Sequence, residues 1–260
     1  MGAVPEDLEA AWRSIRHAAT VLLVRAGDGG RPEFHFVRRP DTMRAFAGLW
    51  AFAGGSVDPV DRRLAVQWID VARATALAEA WEAEPVSIEM ARFLEWAAPR
   101  FRERSGQVPE AVIPPLRFDP AANAAVWVTA VRELFEETGL WLGEGAAPTA
   151  FDRLGAADLG PAVARLRFVG RLVTPSHQPV RFNTRFFLVR LEPGEGPGAA
   201  GTEGTAEVAD ATWRTASEAL AAQAAGTFPM AFPTRFVLER LAPYPSVDAL
   251  LAAYDSRRLS

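Results

Sequence analysis

The sequence predicts an α/β fold, and three observations carry that expectation. Segments with strand character alternate along the chain with segments whose apolar residues recur at helical spacing, which is the pattern of a sheet covered by helices. Glycine and proline punctuate the boundaries between them, as at Gly27-Asp28-Gly29-Gly30, Pro85 and Gly139. The 260 residues are 49% apolar and 23% charged, the balance of a globular protein with a sizeable core.

Taken in order, residues 6–17 can form a short helix to which no chemistry attaches. Ala18 to Arg25 is a dense apolar run that reads as a strand, and Glu33 to Arg39 alternates and pairs with it as a hairpin. Leu49 to Phe52 is a third extended piece running into Gly54-Gly55. From Arg62 to Glu84, Leu64, Trp68, Val71, Thr75, Ala78 and Trp81 predict one continuous helix that Pro85 ends. Ser87 caps a second helix through Ala97, and Pro109, Pro114 and Pro115 stiffen the return. Asp119-Pro120 opens a helix that runs to Thr138 and stops at Gly139 as a left-handed cap. Leu166 to Thr174 and Arg181 to Arg190 read as strands, residues 193–206 as a Gly-rich loop, and Glu207 to Trp213 as a strand. Helices capped by Ser217, Thr234 and Ser246 close the chain.

Composition removes whole classes of chemistry. There is no cysteine, so disulfides, thiolate zinc sites and cysteine nucleophiles are excluded. All 28 basic residues are arginine, which removes Schiff-base chemistry and a lysine base. The three histidines, His17, His35 and His177, do not stand at ligand spacing from one another. A net charge of −4 gives no global field for nucleic acid. The longest uncharged apolar stretch, Ala121 to Val131, is far short of the ~20 residues a membrane span needs. Pro5-Glu6-Asp7 stands where a signal segment would begin. These features predict a soluble protein of a bacterial cytoplasm, with a small molecule rather than nucleic acid or membrane as its partner, and they allow a homodimer.

The informative segment is Arg132-Glu133-Leu134-Phe135-Glu136-Glu137-Thr138-Gly139-Leu140. On a helix, positions i, i+3 and i+4 share a face, so Glu133, Glu136 and Glu137 converge. They do so in the last turns, where the helix dipole disfavours each carboxylate by a few tenths to ~1 kcal/mol and like charges add to the cost. A divalent cation would reverse the sign of both effects. Hard oxygen donors without cysteine or histidine point to Mg2+ or Mn2+. Arg132 can pair with Glu136 one turn on and steer it. The residues alone leave open a second reading, an exposed acidic helix end with Arg132 as its local partner.

This run resembles the second half of the Nudix box, G-x5-E-x7-R-E-U-x-E-E-x-G-U, where U is aliphatic. The first half resembles Gly55-x5-Asp61, with Gly54-Gly55 supplying backbone that others can approach closely. Asp61 stands where the pattern has Glu, and 70 residues rather than seven separate Asp61 from Arg132. A box interrupted in this way resembles the coenzyme A diphosphatase branch of the superfamily, the nucleoside diphosphate-linked moiety X motif nineteen type. Thr174-Pro175 and Pro179 to Phe187 are similar to a segment of that branch, with Asn183 in place of its Asp. Arg39-x4-Arg44-x3-Gly48-x3-Phe52-Ala53-Gly54-Gly55 is similar to the element that precedes the box in coenzyme A-cleaving members, with Pro40 and Ala53 as departures.

The resemblance implies a Nudix α/β/α sandwich over residues 1–61 and 119–260, with a helical insertion at 62–118. It implies a Mg2+- or Mn2+-dependent diphosphatase of a nucleoside diphosphate derivative, above all coenzyme A or an acyl-coenzyme A. Glu133, Glu136 and Glu137, with the Gly54 carbonyl, would hold the cation. Arg132 would orient the glutamates, and one of them, or Glu207, would act as base. Arg39, Arg44 and Gly55 would bind substrate. Glu203 and His177 are lesser candidates; the tryptophans read mostly as core, with Trp50, beside the glycines, a lesser candidate for stacking on a base. Other diphosphates (NADH, ADP-ribose, a nucleotide sugar) stay open, as does a nucleotide-binding module without turnover.

Overall fold

The computed structural model of the chain describes residues 15–42, 47–70, 72–77, 120–149, 151, 154–174, 180–197 and 208–259. Its centre is β1 (Arg16–Ala26), a run of Ala, Thr, Val and Leu with almost every side chain from Ala18 to Val24 buried. A strand covered on both faces loses the alternation of a half-exposed one, which is why the sequence reads there as an unbroken apolar run. Beside it on one side lies β6 (Phe182–Arg190), parallel to it from Arg16↔Phe182 to Val24↔Arg190, and beyond β6 lies β5 (Arg167–Val173), antiparallel. On its other side β1 changes partner along its length. Val24 to Ala26 pair with β2 (Pro32–Arg38), whereas Ala18 to Val21 pair with β4 (Ala53–Ser56). The remote end of β2 pairs with β3 (Trp50–Ala51), and its other edge pairs from Glu33 to Arg38 with β7 (Asp210–Thr215). The expected hairpin is therefore confined to the turn end.

The sheet is mixed and has helices on both faces. Ala19, Val21, Leu23, Phe187 and Val189 face α2 (Pro120–Thr138) and α3 (Ala156–Ala164). Leu22, Val24, Phe34, Phe36, Phe186 and Leu188 face α4 (Ala216–Ala224), α5 (Phe232–Leu241) and α6 (Val247–Ala253). This is the α/β/α sandwich that the sequence predicts. Helix α2 is buried from Ala122 to Leu134 on every side, as an apolar helix between other elements must be. It ends where expected, at Gly139 with φ 70°, whose N–H bonds to the Phe135 carbonyl at 2.7 Å.

Several elements differ from expectation, each for a local reason. Arg16 and His17 belong to β1, not to a helix. The helix expected from Arg62 starts earlier, as α1 (Pro59–Trp68), because Asp58 accepts the Val60 N–H at 2.9 Å and Pro59 fixes the first helical φ. It also stops at Ile69, where the backbone turns extended. Asp70 then starts residues 72–77 afresh, its carboxylate accepting the Arg73 N–H at 2.9 Å. Helix α4 is capped by Thr215 in a reciprocal box with Glu218, not by Ser217. Helix α5 is capped at Ala231, and Thr234 is buried inside it, whereas Ser246 caps α6 as expected. Helix α3 had no counterpart in the sequence reading. The second helix, the proline-rich return and Asp119 lie outside the described residues. Among the described residues no helix is long and apolar enough to cross a membrane.

On the helix-α2 face, His35 of β2 is buried and packs on Trp213 of β7 at 5.0 Å, and Arg25 covers the Trp213 ring at 4.3 Å. Burial, and then the charge of Arg25, hold the imidazole down to about 4. The unfolded chain therefore binds a proton near pH 6.5 that the folded chain refuses until about pH 4, and stability falls as pH drops through that window. Thermal melts between pH 7 and pH 4 should show the wild type losing up to about 3 kcal/mol that His35→Gln does not lose. Parallel pH profiles for the two proteins would contradict the assignment.

Candidate functional site

Strand β4 and the last turns of α2 meet at their backbones. A Cβ on Gly54 would lie 2.4 Å from the Ala19 carbonyl oxygen and 2.8 Å from the Thr20 Cα. A Cβ on Gly55 would lie 2.3–2.6 Å from the carboxylate of Glu133. Gly54 thus lets β4 sit against β1, and Gly55 makes room for an acidic side chain. The Gly54 N–H donates to Glu137 Oε2 at 3.0 Å, tying the strand to the helix end.

Arg132 organises the rest. Its Nε and Nη2 donate to the two oxygens of Asp61 at 2.9 Å each, and Nη2 also donates to the Ser56 carbonyl at 3.0 Å. Its Nη1 reaches Glu136 Oε2 at 2.8 Å and Glu133 Oε1 at 3.0 Å. All five N–H groups of the guanidinium fork are in use. Burial alone would lower the pKa of Arg132. The hydrogen bonds it donates to Asp61 and the charges of Glu133, Asp61 and Glu136 more than offset that and leave it above its usual value. Asp61 is wholly buried, and Thr129 and the Asp58 N–H donate to the same oxygen that Nη2 holds.

Glu133 and Glu137 are buried, and the Glu136 side chain is 41% exposed. Loss of solvent pushes the Glu133 carboxyl up to about 7. Arg132 opposes that shift and Glu136 adds to it. Among the described residues no three acidic or histidine side chains are grouped so as to hold a metal ion as they stand. Arg132 engages Glu133 and Glu136, while Glu137 engages Gly54. The set nevertheless fits a hard divalent cation. Its donors are all oxygen, one carboxylate is buried with its charge only partly balanced, and a glycine leaves space beside that carboxylate.

The structure thus brings together Gly54, Gly55, Asp61, Arg132, Glu133, Glu136 and Glu137. Arg39 is placed elsewhere, at the end of β2. Its backbone pairs with Gly48 and Leu49, and its Nε is buried with no hydrogen-bond partner among the described residues. The Ala209 N–H bonds to the Arg38 carbonyl, so the chain enters β7 beside Arg39. Arg44, Glu203, Glu207 and His177 lie outside the described residues. Trp50 is a correction: it is buried, and Phe228 stacks on it at 4.6 Å and 14°, so the ring belongs to the core.

Two features of the structure have little or no mark in the sequence. Thr129 and Ser56 complete the shell around Arg132; Thr129 stands one turn before it, the only cue available. At the other end of α2, Arg185 donates to Asn123 Oδ1, meets His17 Nδ1 at 2.8 Å and neighbours Asn183, which accepts from Arg171. Asn183 therefore takes part in a buried polar network at the opposite end of the helix from the glutamates.

No family model and no curated protein matches the sequence. Among solved structures, a Nudix hydrolase from Alicyclobacillus acidocaldarius is 27% identical, with a TM-score of 0.60, over 95% of this chain and 98% of its own. The NUDIX domain of Shewanella oneidensis NrtR complexed with ADP ribose is 12% identical over 91% of this chain and 96% of its own, with a TM-score of 0.41. An Ap4A hydrolase from C. elegans is 13% identical over 92% and 100%, with a TM-score of 0.40. The first of these carries the comparison.

The two glycines should respond differently to one added methyl group. In Gly54→Ala the methyl meets backbone that cannot move aside, and overpacking of this kind costs about 1–3 kcal/mol. In Gly55→Ala it meets only the end of the Glu133 side chain. Thermal melts and Mn2+ titrations should show Gly54→Ala destabilised, and Gly55→Ala near wild-type stability but about 10-fold weaker for Mn2+. The reverse pattern would contradict this packing.

Proposed function

We propose that this chain, an enzyme with the Nudix hydrolase fold, is a Mg2+-dependent diphosphatase that cleaves coenzyme A or an acyl-coenzyme A into 3′,5′-ADP and a 4′-phosphopantetheine fragment. The observation that carries the reaction class is the Arg132 assembly. A single buried guanidinium holds Asp61, Glu133 and Glu136 beside a strand whose Gly54 is tied to Glu137. Support for the substrate is the arginine-glycine element that runs from Arg39 to Gly55. Its first arginine keeps a buried Nε–H with no acceptor among the described residues, a donor suited to a phosphate oxygen.

In this reading Glu133, Glu136 and Glu137, with the Gly54 carbonyl, hold Mg2+ or Mn2+. When bound, the cation supplies Lewis-acid charge to the diphosphate oxygens and makes water more acidic. The protein does the rest. Arg132 keeps the two nearest glutamates from turning away, which preserves their geometry through the reaction. One carboxylate of the set, or Glu207, accepts the proton of the attacking water. Arg39 and Arg44 bind phosphate, and Gly55 allows close approach to the strand. The setting that suits this substrate is the cytoplasm of a bacterium, and no step requires a second subunit.

Incubation of the protein with coenzyme A and Mg2+ should release 3′,5′-ADP, resolved by chromatography. Glu137→Gln, which keeps the shape of the side chain, should lower the rate by about 100-fold or more while remaining folded. If product forms from NADH, ADP-ribose or a nucleotide sugar but not from coenzyme A, the substrate assignment is wrong and the reaction class stands. Wild-type turnover by folded Glu137→Gln would remove the metal assignment.

A further inference from the structure

The Asp at position 61 is one methylene shorter than the residue the box pattern calls for, yet it makes more contacts than a guanidinium partner alone would give. Oδ1 accepts from Arg132 Nε. Oδ2 accepts from Arg132 Nη2 at 2.9 Å, from the Thr129 hydroxyl at 2.8 Å and from the Asp58 N–H at 2.9 Å. The Asp58 N–H belongs to the first turn of α1, whose start is fixed in turn by Asp58 and Pro59. Thr129 has a second neighbour, the Ala125 carbonyl at 3.0 Å. A hydroxyl has one proton, and the shorter contact to an ionised acceptor is the stronger of the two.

We propose that Thr129 and the amino end of α1 act together as a positioning device for Arg132, working through Asp61, and that the site is fitted to Asp and not to Glu. The helix carries the shorter carboxylate to the place a longer side chain would otherwise have to reach. Its Oδ2 also accepts from Thr129 and the Asp58 N–H, so the carboxylate has one orientation. Arg132 inherits that orientation along two parallel hydrogen bonds. Glu133 and Glu136 inherit it from the other edge of the guanidinium. Neither Thr129 nor Asp58 has a place in the proposed chemistry, and Thr129 is wholly buried. The inference rests on the reading that the glutamates hold a cation.

Mn2+ affinity, measured by electron paramagnetic resonance without substrate, tests it independently of turnover. Thr129→Val removes the hydroxyl and keeps the shape. It should weaken Mn2+ binding by about 10-fold and lower kcat to a similar degree with little change in KM, since Arg132 does not touch substrate. Thr129→Ser, which restores the donor, should recover most of both. Asp61→Glu, which restores the residue of the box pattern, should impair rather than improve Mn2+ binding, again by about 10-fold. Wild-type Mn2+ affinity in Thr129→Val or in Asp61→Glu overturns the proposal; if Thr129→Val does not fold, Asp61→Glu decides it alone. Absence of Mn2+ binding by the wild type overturns the metal reading, and this proposal with it.

Discussion

The site depends on one buried cation, the guanidinium of Arg132. Three carboxylates surround it, and two of them, Asp61 and Glu133, have almost no contact with water. Burying a charge is costly unless it is paired and its hydrogen bonds are filled. Asp61 meets both conditions, with four donors on its two oxygens. Glu133 meets them only in part, since it shares Nη1 with Glu136, and its carboxyl is correspondingly pushed up. The two buried acids thus have different tasks. Asp61 is satisfied by the protein and anchors. Glu133 is left with unbalanced charge, the condition in which a further cation is stabilising.

That division requires β4 and α2 to lie closer than side chains ordinarily permit. Alanine recurs on the buried sides of α2, at 122, 124, 125 and 130, and glycine occupies the two strand positions nearest its end. Each makes contact possible by leaving something out. Close packing of backbone then does what flexible side chains could not. It fixes the Gly54 N–H against Glu137, so that only one partner of the bond is a long side chain, whose immobilisation costs up to ~2 kcal/mol.

How much of this was legible in the sequence depends on the range of the interaction. The glutamate cluster is local: helical spacing alone places Glu133, Glu136 and Glu137 together, and Arg132 to Glu136 is a one-turn contact. The central strand and α2 were legible because burial on all sides leaves an unmistakable apolar run. Asp61 could be aligned with the box but not assigned its neighbours, since Thr129 reaches it, and Ser56 reaches Arg132, only through the tertiary fold. Trp50 illustrates the opposite error. Proximity in sequence to Gly54 suggested a ligand contact, yet the ring packs on Phe228, 178 residues away. The misplaced caps at Ser217 and Thr234 have a similar cause. Several residues near each helix start could cap it, and the reciprocal bond from Glu218 favours Thr215. The break at Ile69 was hidden because apolar spacing continues through it.

The separation of Asp61 from Arg132 raises a physical question: why do 70 intervening residues not undo the pair? The entropy of closing a flexible loop grows only as the logarithm of its length, so a tenfold increase costs about 2 kcal/mol. That is comparable with burying one leucine, about 1.5–3 kcal/mol. Leu64 and Ala65, the first core positions of α1 beyond Asp61, are both buried in the cluster that includes α2. The helix that begins the long segment therefore contributes packing that offsets the entropy of the segment itself. It also starts at a cap, so its register is fixed before the chain departs. An insertion between Gly55 and the Asp58 cap would instead separate α1, Asp61 included, from β4. Placed after α1 has begun, the segment can vary in length without moving Asp61, which is the arrangement this chain has.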